Sequence, residues 1–185
     1  MKRSSVLAVA AAFILLVTVS CFVGFGYFMN SERQTSDSTF LLKHYSSLAD
    51  LRRDSTLIAR GTIVAVGGFD SSQNVTQFVF RITRVIVGNL SAGSTDITVL
   101  QHNGGLVYDP PMQVGDELIL FMRKSARLDM SGAYVVVGGP QGRFIIRSGK
   151  VYSVGDLYPE ARNTTLSIQG MDESSFMAIV EEANK

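Results

Sequence analysis

Residues 6–29 read VLAVAAAFILLVTVSCFVGFGYFM, and within them only Cys21 and Tyr27 carry an ionisable group. A helix of about 20 apolar residues spans the hydrocarbon core of a bilayer, and its backbone satisfies its own hydrogen bonds where water cannot. This run is long enough to do so even when tilted. It is therefore expected to be a transmembrane anchor, which leaves the rest of the chain to build a fold without it. Lys2 and Arg3 precede the run, whereas Glu32, Arg33 and Asp37 follow it. The positive flank predicts a cytoplasmic N-terminus (residues 1–5) and a single-pass protein whose C-terminal part lies outside the cytoplasm. Tyr27 and Phe28 fall at the outer interface. Two alternatives stay open. A cleaved signal peptide needs a shorter apolar core and a small-x-small site. Lipidation of Cys21 fits Thr18, Val19 and Ser20 only in part. All three readings leave the domain outside.

Cys21 is the single cysteine, so the domain can form no internal disulfide and no Cys-rich zinc site. Net charge is +1 over 185 residues, which gives no electrostatic reason to expect a nucleic-acid partner. Residues 30–39 (NSERQTSDST) are polar and rich in Ser and Thr, as in a linker. One domain is expected over residues 40–185.

The domain opens with a short helix. Tyr45, Leu48 and Leu51 share one helical face, and Ser47 with Asp50 forms a capping pattern. The period then changes to that of strands. Residues 56–66 (TLIARGTIVAV) form a first strand with one interior glycine, Gly61. In residues 75–87 (VTQFVFRITRVIV), Phe78, Phe80 and Ile82 alternate onto one face before the apolar set changes parity to Val85 and Val87. A parity change inside a strand marks a bulge, and with Gly61 it predicts a coiled sheet closing into a small barrel. Residues 95–101 form another strand, and 102–111 (HNGGLVYDPP) a loop. Residues 116–122 (DELILFM) are almost continuously apolar, as in a strand buried on both faces. Residues 133–137 follow, then a hairpin of 143–147 and 150–154 about the turn Ser148-Gly149. Residues 155–170 are irregular. A closing helix is expected over 172–183, with Asp172 as N-cap and Phe176, Ile179 and Val180 inward. The expected fold is mainly β: a small closed, OB-like barrel with a short helix at each end, preceded by one transmembrane helix.

The succession SSLADLRRDSTLIARGTIVAV, VFRITRVIVGNL, QVGDELILFM and GGPQGRFIIRSGKVYSV resembles a widespread, largely uncharacterised group of exported prokaryotic proteins. The resemblance covers roughly residues 45–155. It implies an OB-type barrel, similar in outline to the netrin-like modules of metalloproteinase inhibitors. Those modules use disulfides and a metal-chelating N-terminal cysteine; this domain has no cysteine, so that chemistry does not carry over. The resemblance speaks to fold and names no functional residue.

Chemistry-bearing residues are sparse. His102 with Asp109, and Ser91 or Ser94 as nucleophile, form one conceivable hydrolase set, but no G-x-S-x-G elbow is present. His44 lies near the first helix. Asp116 and Glu117 are adjacent on a strand and point to opposite faces, so they do not build a metal site. Gly104-Gly105 and Gly138-Gly139-Pro140-Gln141-Gly142 lead into no helix and fit no phosphate loop. Arg81 and Arg84, with Tyr108, Tyr134 and Tyr152, are the residues an OB-type nucleic-acid site would use. Their expected place is ordinary strand surface. Asn74, Asn89 and Asn163 each begin an N-x-[ST] tripeptide and are glycan acceptors in a host that attaches them. No catalytic residue, metal ligand or cofactor site is expected. The candidate recognition loops are His102, Asn103, Tyr108 and Asp109, with Gln141 of the 138–142 turn and Arg143 next to it. Loops on a rigid barrel commonly carry recognition. The leading expectation is a non-enzymatic envelope binding module for a surface protein or glycan, with no nucleic acid. The alternatives are an envelope hydrolase using His102 and Asp109, and a nucleic-acid-binding OB-type domain.

Overall fold

A computed structural model describes residues 43, 45–90, 94–103, 109–154 and 168–182. The apolar run 6–29, the linker, His44, Ser91, Gly104, Gly105, Tyr108 and Asn163 lie outside the described residues. Among those described, no helix is long and apolar enough to cross a membrane.

Helix α1 (Leu48–Arg53) starts where the capping pattern predicts: the Ser47 hydroxyl accepts from the Asp50 amide at 3.1 Å. Strands β1 (Leu57–Asp70) and β2 (Val75–Val87) form a long antiparallel hairpin, and β3 (Asp96–His102) pairs with β2. Strand β4 (Glu117–Lys124) pairs with both β1 and β5 (Tyr134–Val136), and β5 runs parallel to β3. The circuit β1-β2-β3-β5-β4-β1 is thus a closed five-stranded barrel. Strands β6 (Arg143–Arg147), β7 (Lys150–Ser153) and β8 (Met171–Asp172) extend the sheet from β4, and α2 (Glu173–Glu182) closes the chain.

Closing so few strands demands strong coiling, which the register of β1 on β2 supplies. The pairing slips four times: β2 carries extra residues at Thr83 and Ile86, and β1 at Val64 and around Gly67–Gly68. The expected parity change is therefore real. Val87 is half-buried as anticipated, but Val85 is exposed and Ile86 packs inward in its place. Gly61 sits where β1 is paired on both sides. A Cβ there would lie 2.2 Å from the Arg81 carbonyl oxygen and 2.8 Å from the Phe80 ring. Only glycine lets the two strands approach so closely.

Strand alternation divides the apolar residues between two cores. Leu118, Leu120 and Met122 of β4 point into the barrel with Leu57, Ala59, Ile63, Phe78, Phe80 and Val99. Ile119 and Phe121 face the other way, toward Tyr45, Leu51, Phe144, Phe176 and Val180 under the two helices. Phe144 is the hub of an aromatic trio, 4.8 Å from Phe176 and 5.4 Å from Phe121 between ring centroids. Strand β4 is doubly buried, as its sequence predicts.

The β6–β7 hairpin turns at Ser148 and Gly149, both with left-handed backbone, as expected. Helix α2 differs in detail. Asp172 belongs to β8 and its carboxylate binds Lys150 at 2.8 Å. Ile179 is exposed, and Met177 occupies the inward position assigned to it. Ion pairs from Arg60 to Glu173 and from Arg84 to Glu181 hold the helix against β1 and β2.

Gly61→Ala is expected to destabilise the fold by about 3 kcal/mol, because β2 must move away from β1. Gly132 is the control, since a Cβ added there would meet nothing within 4 Å. Gly132→Ala should change stability by about 0.5 kcal/mol or less in the same urea titration. Equal effects would show that β1 and β2 are not so tightly apposed.

Candidate functional site

The residues singled out around the loop 102–111 and the 138–142 turn do not play equal parts. His102 is the last residue of β3, paired with Val75, and not a loop residue. Asn103 follows it; its amide nitrogen donates to the Asn74 carbonyl at 2.8 Å and its side-chain nitrogen to the Thr76 hydroxyl at 2.8 Å. The end of β3 is thereby tied to the β1–β2 turn.

One step inward lies Gln101, which sequence reasoning passed over. It shares a strand face with Val99 and so points into the barrel, where it is only 4% exposed. Its amide nitrogen donates to the carbonyls of Asp109 (3.2 Å) and Pro110 (3.0 Å), while its oxygen accepts from the Met112 amide at 3.0 Å. A polar residue ending an inward-facing apolar row is the signal that marks it. Arg143 is equally buried, and a guanidinium nitrogen donates to the Pro110 carbonyl. The same nitrogen is 3.3 Å from Asp109 Oδ1, within ion-pair reach but out of line for a hydrogen bond among the described residues. Gln101 and Arg143 together hold residues 109–112 against the barrel, and Met112 joins its apolar interior. The barrel is closed here by a polar collar over an apolar plug.

Asp109 carries the electrostatic cost of this arrangement. Burial pushes its carboxyl above the ordinary carboxylate range, partly offset by the Arg143 charge and by Gln101. Gln141 serves elsewhere. Its amide is bonded twice to the backbone of Tyr45, accepting from the Tyr45 N–H at 3.0 Å and donating to its carbonyl at 3.2 Å. Gly138, with φ +66°, leaves room for the Tyr45 ring, which a Cβ would approach to 2.8 Å. Gln141 and Arg143 are thus interior residues that offer no surface to a partner. His102, Asn103 and the segment 109–111 remain at least partly accessible.

For the hydrolase set, Asp109 faces Arg143 and Gln101, and the Ser94 hydroxyl donates to the Asp96 carbonyl at 2.8 Å. Asp116 accepts from the Gln113 amide at 2.8 Å and forms the turn into β4. Among the described residues, no group of three His, Cys, Asp or Glu side chains is placed to hold a metal. Arg81 and Arg84 are exposed, but each is paired, with Asp96 and Glu181. Asn74, in the hairpin turn, and Asn89, just after β2, are both exposed. No protein family and no curated protein matches this chain, so no residue role is supplied by a relative.

The collar makes a testable demand on pH. Because Asp109 holds its proton to higher pH when folded than when unfolded, this site loses stability as pH rises from the ordinary carboxylate range through its raised pKa. Arg143→Met removes the cation that moderates the shift and leaves a buried carboxylate. The expected loss at pH 7 is about 3–5 kcal/mol, shrinking as pH falls and Asp109 takes up a proton. Other carboxylates, such as Asp54 and Asp96, are held below their ordinary range, but they are common to both proteins and drop out of the difference. A loss independent of pH would show that Asp109 and Arg143 are not coupled.

Proposed function

We propose that this chain is a non-enzymatic interaction module held at the membrane by residues 6–29, with an OB-type barrel outside the cytoplasm. The strand order with parallel β3 and β5 supports the OB-type reading, and it agrees with the resemblance to exported prokaryotic proteins. The commitment of Asp109 to Arg143 and Gln101 carries the functional part. A hydrolase built on His102 needs that carboxylate to orient the imidazole, whereas here it faces the Arg143 guanidinium at 3.3 Å. The collar gives His102, Asn103 and residues 109–111 a rigid base, which suits display to a surface protein or glycan. The pairing of Arg81 and Arg84 with carboxylates weighs against a phosphate-binding groove.

Two measurements on intact cells test this. Protease added outside should remove a tag fused after Lys185; survival of the tag until permeabilisation would contradict external placement. A photo-activated cross-linker at Asn103 should yield discrete adducts that one at Arg147 does not. His102→Ala should leave any hydrolytic activity of the envelope fraction unchanged, and its loss would favour the enzyme.

A further inference from the structure

The collar gathers reactive groups as well as holding residues 109–112. Asp109 precedes Pro110, and theirs is the one Asp-Pro bond of the chain. An aspartyl carboxyl is a nucleophile within reach of its own residue's carbonyl carbon, and their reaction closes an unstrained five-membered anhydride. The reaction expels the next residue's nitrogen as an amine. The alkyl-substituted nitrogen of proline takes up the required proton more readily than a secondary amide nitrogen does. Proline also has no N–H, which blocks the competing ring closure through that nitrogen.

The fold sets further features around this bond. The Gln101 side-chain nitrogen donates at 3.2 Å to the Asp109 carbonyl oxygen, the atom on which negative charge grows during attack. The same nitrogen donates to the Pro110 carbonyl at 3.0 Å, and Arg143 binds that carbonyl too, so the leaving segment is fastened beyond the bond. Gln101 and Arg143 are both buried, where donors act more strongly than in water. Asp109 Oδ1 is itself buried and accepts no hydrogen bond among the described residues, although Arg143 lies 3.3 Å away. Burial favours the protonated carboxyl. Arg143 on β6 is the charged group acting on it among the described residues, and with Gln101 on β3 it opposes burial without cancelling it.

We propose that the folded domain cuts its own chain once between Asp109 and Pro110, with the Asp109 carboxyl as nucleophile and Gln101 polarising the carbonyl. A carboxyl oxygen bonds to the Asp109 carbonyl carbon, the bond from that carbon to the Pro110 nitrogen breaks, and the carboxyl proton passes to that nitrogen. Water then opens the anhydride and leaves Asp109 with two carboxyl groups. The products are residues 1–109 and 110–185. Pairing of β1 with β4 and of β3 with β5 crosses the cut and holds the two pieces together. The cut falls within the surface proposed for recognition, but its chemistry does not depend on that reading or on the anchor.

The test follows the full chain in detergent by mass spectrometry at about pH 5, just above the ordinary range of an aspartate. Fragments 1–109 and 110–185 should accumulate. The folded chain should cut severalfold faster than the same chain unfolded in urea at that pH, because folding keeps more Asp109 protonated and supplies Gln101. Its rate should fall as pH rises, since the carboxyl proton is the one transferred. Asp109→Asn should abolish the cut, and Gln101→Met should slow it about tenfold. The comparison of folded with unfolded wild type decides the matter even where Gln101→Met disturbs the fold. Cleavage no faster folded than unfolded would show a bond that is acid-labile by its sequence alone and would overturn the proposal. Absence of both fragments, or their persistence in Asp109→Asn, would overturn it as well.

Discussion

The architecture depends on the double pairing of β1. Over Ile58 to Thr62 this strand is bonded to β2 on one side and β4 on the other, and that seam turns a meander into a barrel. Two features of its sequence make this possible. Gly61 removes the side chain that would hold β2 away, and alternation sends Leu57 and Ala59 inward while Ile58 serves the second core. Past Ile63 the strand is paired with β2 alone among the described residues, and it carries the exposed Val66 and Phe69. The same strand is thus core at one end and surface hairpin at the other.

Once the barrel is closed, its interior must be sealed, and a ring of five strands leaves an end to cover. Here the cover is residues 109–112, fastened by Gln101 and Arg143 and plugged by Met112. Buried polar groups of this kind are tolerated only when partnered, and the geometry meets that demand for Gln101 more fully than for Asp109. The collar fixes one end of the domain, and the Tyr45–Gln141 clasp fixes the segment that leads into α1.

Local order and closure into a small barrel were legible in the sequence, and the particular long-range pairings were not. The cap at Ser47, the parity change in β2, the doubly apolar β4 and the Ser148-Gly149 turn all rest on neighbours a few residues apart, where spacing has a direct physical reading. The pairing of β1 with β4 and the bond between Gln141 and Tyr45 join residues 55 or more apart, and no local period encodes them. The misreadings follow the same line. Gln141 and Arg143 look like candidates for recognition until the elements that bury them are in place, and Ile179 looks like core until Met177 is seen to fill that position. Gln101 was accessible to strand alternation, since it follows Ile97 and Val99 on one face.

Hydrogen exchange of the native protein tests the β1 seam most directly. If β1 is held on both sides, the bonded amides of residues 58–62 exchange only through global unfolding, while those of residues 64–70 exchange through easier local opening. Exchange from residues 58–62 as fast as from 64–70 would mean that the barrel opens along β1, and the account of closure would be wrong.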